Sequence, residues 1–286
     1  NVTLSNGSSI ETWQDLSGNN NNATQSSLEK RSVYNATLKS MTFDGSNDYY
    51  SIGTNITTNT SYTLFIVEKR GVAKSHNHFF GQIGITSLNQ MIHLGYRSDT
   101  GLTLAHWNND ITPTVRSIGN IDLSVFRFKN SQNPSHFINY NGLLIGSGQN
   151  GQALTNVGHN LIGSSFENYY NGNMMEIIVF NTALSDAQVQ SINFYLSTKW
   201  GLQASVDSDA DGTKDNTDPL YTGKADVIKI SASGNSYSIT STTSGIVGSG
   251  SNPPLNLTKG AAYVFENLAS GHPFKIILGS YEKIID

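Results

Sequence analysis

The chain has 286 residues, a formal charge of −4 at neutral pH and a pI near 6.0. Only 13% of its residues are charged, against roughly 25% in an average soluble domain. No basic run is longer than the Lys30-Arg31 pair, which excludes the phosphate-neutralising footprint of a nucleic-acid binder, and no apolar window of about 18 residues offers a membrane span. Cysteine is absent, so disulfides and thiol chemistry are excluded and stability falls to core area, with bound metal as a further source.

Asn1 opens directly on polar sequence with no signal peptide, so the expected start is a processed terminus or a point inside a longer protein. A surface built from Asn, Ser, Thr and Gly has the composition of extracellular β proteins. The first element is a short apolar run around Trp13 and Leu16, broken by the Gly18–Asn22 tract, which cannot continue a strand. From Met41 onward, short alternating runs bounded by Gly, Asn, Asp or Pro argue for a sandwich or barrel. They are Ser40–Phe43, Tyr50–Ile52, Tyr62–Glu68, Phe79–Ile83, Met91–Tyr96, Leu102–Trp107, Val125–Phe128, His136–Tyr140, Leu143–Ile145, Asn160–Ile162 and Met174–Phe180. Asn141-Gly142 supplies the positive φ angles of a tight hairpin. The last run is nearly unbroken, as in a strand buried on both faces, and it is expected to lie beside the opening strand.

One helix is predicted. Ser185 is its N-cap with Gln188 three residues on, Val189, Ile192, Leu196 and Trp200 recur at helical spacing, and Gly201 stops it. Trp13 and Trp200 are assigned to the core. These residues, with Asp15, the Ser17-Gly18-Asn19 turn, Phe43-Asp44-Gly45-Ser46-Asn47-Asp48, Thr63–Val67, Tyr170-Asn171-Gly172 and Lys199-Trp200-Gly201-Leu202, resemble the concanavalin-A-like, laminin-G-like jelly-roll family over about the first two hundred residues. The resemblance implies an all-β sandwich over 1–203, on a fold that hosts lectins, hydrolases, adhesins and spacers.

The next stretch has no apolar periodicity. Asp207, Asp209, Asp211, Thr213, Asp215 and Asp218 fall at positions one, three, five, seven, nine and twelve, the spacing by which an oxygen-rich loop wraps Ca²⁺, with Gly212 at the sharp turn. The loop resembles a thrombospondin type-3 repeat without its cysteine. It is read as a calcium clamp over 204–221, with a solvated acidic linker as the bland alternative. Strands then return at Val227–Ile230, Tyr237–Ile239, Gly245–Val247, Leu255–Leu257, Ala262–Phe265 and Phe274–Leu278. The order resembles part of a cupredoxin-like unit over 222–286; without cysteine its blue-copper centre is excluded on ligand grounds, and His272 is read as a turn residue.

For catalysis, glucanases of this architecture need two Glu and an Asp alternating on one strand, and Glu at 11, 29, 68, 167, 176, 266 and 282 provides no such set. No Gly-x-Ser-x-Gly elbow lies between a strand and a helix. His76 and His78 are read as an exposed strand edge with no third metal ligand nearby in sequence. The expectation is therefore no enzyme.

Aromatics beside amides at strand ends, at Tyr49-Tyr50, Trp107-Asn108-Asn109-Asp110 and Tyr169-Tyr170-Asn171, have the composition of a glycan site, or simply of packing. Trp107, Asn108 and Asp110 are the chosen candidates. The reading is an extracellular recognition or adhesion module, on a cell or virion surface, that binds a glycan or a cell-surface protein and is stabilised by Ca²⁺. The second reading is a structural subunit of a fibre, surface layer or virion, self-assembling or joined to neighbouring domains by strand addition through its C-terminal unit. Chance explains most of the Asn-x-Ser/Thr sequons in so Asn-rich a chain.

Overall fold

The computed structural model describes residues 4–82, 86–155, 158–219, 226–233, 236–241, 247, 255–257, 263–268, 274–278 and 281–285. The chain divides into two compact units, Asn1–Gly212 and Thr213–Asp286. His272 and the Asn252-Pro253-Pro254 segment lie outside the described residues.

In the first unit two antiparallel sheets face each other. One has seven strands in the order Leu143–Gly148, His136–Tyr140, Ile121–Phe128, Tyr62–Arg70, Asn171–Phe180, Ser40–Asp44 and Val33–Asn35. The other has eight, in the order Thr12–Trp13, Ala23–Thr24, Tyr50–Ile52, Asn160–Ile162, Asn77–Gln82, His93–Tyr96, Leu102–Ala105 and Asp110–Ile111. The fold is thus an all-β sandwich with one helix, Asp186–Trp200.

Side-chain alternation explains why the central runs are apolar without interruption. From the Tyr62–Arg70 strand, Tyr62, Leu64 and Ile66 enter the core between the sheets, while Phe65 and Val67 enter a second cluster with Val189 and Leu196 of the helix. The seven-stranded sheet is therefore buried on both faces. The helix is closed as its sequence requires: Ser185 and Gln188 form a reciprocal capping box, and Gly201 adopts the left-handed conformation at the C-terminus.

The opening and closing strands do not lie side by side. Thr12–Trp13 folds back through the Gly/Asn tract onto Ala23–Thr24 at the edge of the eight-stranded sheet, while Asn171–Phe180 pairs with Tyr62–Arg70 and Ser40–Asp44 in the other. Trp13 and Trp200 are half-buried rather than central, and the indole N–H of Trp200 donates to Glu176 at 2.6 Å. Tyr140-Asn141-Gly142-Leu143 forms the expected hairpin, with positive φ at Asn141 and Gly142. A Cβ on Gly142 would fall 1.7 Å from the carbonyl oxygen of Asp207, so only glycine lets that backbone settle on the turn.

In the second unit Asp226–Ser233 pairs antiparallel with Ser236–Ser241 and parallel with Tyr263–Asn267, and Phe274–Leu278 forms a hairpin with Tyr281–Ile285. Ile228 and Ile230 are buried, with Tyr237, Ile239 and Phe265 packed against them.

Candidate functional site

Two short hairpins set the rim of a cavity in the first unit. Trp107 and Asn108 are the central residues of the turn joining Leu102–Ala105 to Asp110–Ile111, with φ of 49° and 59°. Phe166 and Glu167 join Ser164–Ser165 to Asn168–Tyr169, with φ of 50° and 54°. Two-residue turns with positive φ at both positions favour Asn-Gly, and an L-residue held there costs about 1–2 kcal/mol. Here each turn leads with a bulky aromatic. Backbone strain of this kind gathers at functional sites.

The Trp107 turn is braced from behind. The Asn89 amide donates to the His106 carbonyl at 2.7 Å, and the Asn109 side chain donates to Asn89 Oδ1 at 2.8 Å and to the Asn150 carbonyl at 3.1 Å. The Trp107 and Phe166 rings meet edge-on with centroids 5.6 Å apart, and Phe166 remains 50% exposed.

Beneath them lies a cavity of about 470 Å³, within the usual range of small-molecule sites at roughly 300–1,000 Å³. His76, His78, Met91, His93, Arg97 and Asn168 line it together with the two aromatics. His78 comes from Asn77–Gln82 and His93 from the adjacent strand. A bulge between His78 and Phe80 shifts the register of this pair, as bulges that re-aim side chains do. Gly95, at φ 140°, accommodates it: a Cβ there would stand 2.7 Å from the His78 Cα.

The two imidazoles lie 5.1 Å apart between centroids. His93 Nε2 accepts from the Arg97 guanidinium at 2.6 Å, which places the proton of the neutral ring on Nδ1, and that nitrogen has no partner among the described residues. Both nitrogens of His78 are shielded from solvent, as is His93 Nδ1. Burial, then His93, pushes His78 down to about 3, and burial, then Arg97, pushes His93 down to about 3. Both rings are neutral at pH 7.

Of the residues chosen from sequence, Trp107 lines this cavity, Asn108 is exposed at the turn, and Asp110 forms an ion pair with Arg97 at 2.7 Å. Tyr50 and Tyr170 are buried, with hydroxyls bonded to the Ile10 carbonyl and to Glu68. The exposed-edge reading of His76 and His78 is corrected: Asn77–Gln82 is flanked by strands on both sides and His78 is buried, so only His76 is exposed. His78, His93, Arg97 and Phe166 escaped sequence reasoning because they come from separate segments. A bulky aromatic in a short polar turn, as at Phe166, was the available signal.

The acidic segment is also built in part. Asp207, Asp209 and Asp211 each place one carboxylate oxygen within 4.8 Å of the others. Asp207 is only 2% exposed; its Oδ2 accepts from the Gly212 amide at 3.0 Å, and its Oδ1 is buried with no hydrogen-bond partner. Three hard oxygen donors, one of them enclosed and unfilled, suit a hard cation. Thr213, Asp215 and Asp218 belong to the second unit, where Asp215 and Asp218 are buried and the Asp218 amide donates to the Lys214 carbonyl at 2.9 Å.

Another buried carboxylate, Glu68, is not among the residues that line the cavity. It accepts from Tyr96 at 2.7 Å and from Tyr170, and burial raises it to about 7. Arg70 stacks 4.0 Å over the Tyr96 ring. The group is fully enclosed and is a core network.

No protein-family model and no curated protein matches this sequence. Solved structures do. A Trypanosoma rangeli sialidase superposes with TM-score 0.50 at 14% identity, over 68% of this chain and 32% of its own. An arabinofuranosidase complexed with arabinofuranosyl-α-1,2-xylobiose superposes with TM-score 0.50 at 13% identity, over 82% of this chain and 61% of its own. The sialyllactose-bound CBM40 of a Ruminococcus gnavus sialidase matches with TM-score 0.41 at 13% identity, over 67% of this chain and 98% of its own. The chain thus spans less than two thirds of either enzyme.

At these identities the likeness is one of fold. It still corrects the expectation of no enzyme, because the fold is shared with two enzymes. The missing Glu set excludes one arrangement of catalytic carboxylates, and catalysis on this fold is not confined to it. Among the described residues no helix is long and apolar enough to cross a membrane.

Proposed function

We propose that this chain is an extracellular carbohydrate-binding protein that seats a sugar in the cavity beneath Trp107 and Phe166. The observation that carries the reading is the pairing of two aromatics, held at positive φ over an open cavity, with the polar side chains of Arg97 and Asn168 in its lining. Aromatic faces take the apolar face of a sugar ring, and amide and guanidinium groups bond its hydroxyls. The laminin-G-like resemblance of the sequence and the likeness in fold to carbohydrate-active enzymes support the same reading.

A glycan array probed with the parent chain and with Trp107→Ala tests it. The parent is expected to give a defined set of signals, and the variant to lose at least about tenfold, or about 1.4 kcal/mol. Silence across the array, or full signal from the variant, overturns the proposal.

The reading includes Ca²⁺ held by Asp207, Asp209 and Asp211, in keeping with the type-3-repeat resemblance. The ion would neutralise carboxylates that otherwise repel at close range. Calorimetry on metal-stripped protein should show Ca²⁺ uptake that Asp207→Asn removes, and saturating Ca²⁺ should stabilise the chain by about 2.7 kcal/mol at a hundredfold excess over Kd. No heat and an unchanged melting curve would overturn it.

A further inference from the structure

Resting on the carbohydrate reading and narrowing it to a ligand class, we infer that the cavity takes an uncharged sugar and turns away acidic ones, because the fixed positive charge that its wall carries among the described residues is balanced by a carboxylate beside it. That charge is Arg97. One guanidinium nitrogen serves both Asp110 Oδ2 at 2.7 Å and His93 Nε2 at 2.6 Å. Asp110 is itself held in place: its strand pairs with Leu102–Ala105, and its carbonyl accepts from Gln149 at 2.7 Å.

A sialic or uronic acid needs a cation free to meet its carboxylate, in the bidentate manner that makes arginine the usual partner. Arg97 is paired with Asp110 through one nitrogen, so a carboxylate approaching its other N–H groups would meet the Asp110 charge beside them and be repelled by it. An acidic ligand would also lose its hydration without compensation, a far larger penalty than that for a hydroxyl.

The test uses matched glycans that differ by one acidic group, such as lactose-terminated chains and their α2,3-sialylated counterparts, on an array and then by calorimetry. The uncharged member is expected to bind at least about tenfold tighter. Its affinity should stay within about twofold as NaCl rises from about 0.05 to about 0.5 M, since no ionic contact is made. Asp110→Asn, which frees Arg97, should shrink the preference to about threefold or less by strengthening the acidic ligand. Binding confined to sialylated or uronic-acid glycans overturns this inference while leaving the carbohydrate reading intact. Steep salt dependence of the uncharged ligand, or an unchanged preference in the folded Asp110→Asn variant, likewise overturns it. Silence on every glycan removes both.

Discussion

Two pairs of buried histidines in the sandwich sit in different settings. His106 and His136 are buried with ring centroids 4.6 Å apart, packed on Phe128; the Tyr62 hydroxyl meets His106 Nε2 at 2.8 Å, and the Ser135 hydroxyl meets His136 Nδ1 at 2.7 Å. His78 and His93 are equally buried, yet they line a cavity. Burial of an imidazole is therefore not what marks a site. What separates the pairs is their setting: one is packed against Phe128, the other borders a cavity lined by Trp107 and Phe166.

The largest effect should come from the packed pair. Phe128→Ala removes the ring wedged against Tyr62, His106 and His136, and is expected to cost about 3–5 kcal/mol in denaturant unfolding, while glycan affinity of the folded fraction stays at the parent value. A matching loss of affinity would erase the distinction between the two pairs.

Acid should act on both pairs together. Burial depresses His78 and His93 to about 3, His136 to about 4, and His106 well below its ordinary value. The stability these neutral rings contribute is present above the unfolded histidine pKa of about 6.5 and is lost as pH falls toward the folded values. Glu68, raised to about 7, has the opposite sign: its contribution is present below the unfolded glutamate value and fades as pH rises through about 7. Four histidines outweigh one glutamate, so melting temperature should drop below about pH 6.5, at about 1.4 kcal/mol per pH unit for each uncompensated proton. Glu68→Gln should steepen that fall, which pH-dependent calorimetry would register.

The smallest effect on stability should come at the rim. Trp107→Asn places in the strained turn a residue that tolerates positive φ, so unfolding free energy should match the parent or rise by up to about 1 kcal/mol. Glycan binding should fall at least about tenfold nonetheless. Activity without the ring, or a marked loss of stability, would place Trp107 with the packing residues instead.

Much of the fold was legible because it depends on local chemistry. Asn141-Gly142 named its hairpin, Ser185, Gln188 and Gly201 bounded the helix, and His136–Tyr140 and Asn160–Ile162 were bounded as observed. The pairing of first and last strands failed because periodicity reports which residues are buried, not which sheet receives them. Trp107 was legible as an aromatic beside amides at a strand end. Its companions were not, since a bulge at His78 and a separate hairpin at Phe166 bring them to it, and neither leaves a spacing in the chain.

Gly142 ties two distant parts of the chain into one unit of inheritance. Its missing side chain is the space that the Asp207 carbonyl fills, so any other residue there would displace the start of the acidic segment. A lesion in the tip of a β-hairpin would then present as a defect in cation uptake, with every carboxylate still in place.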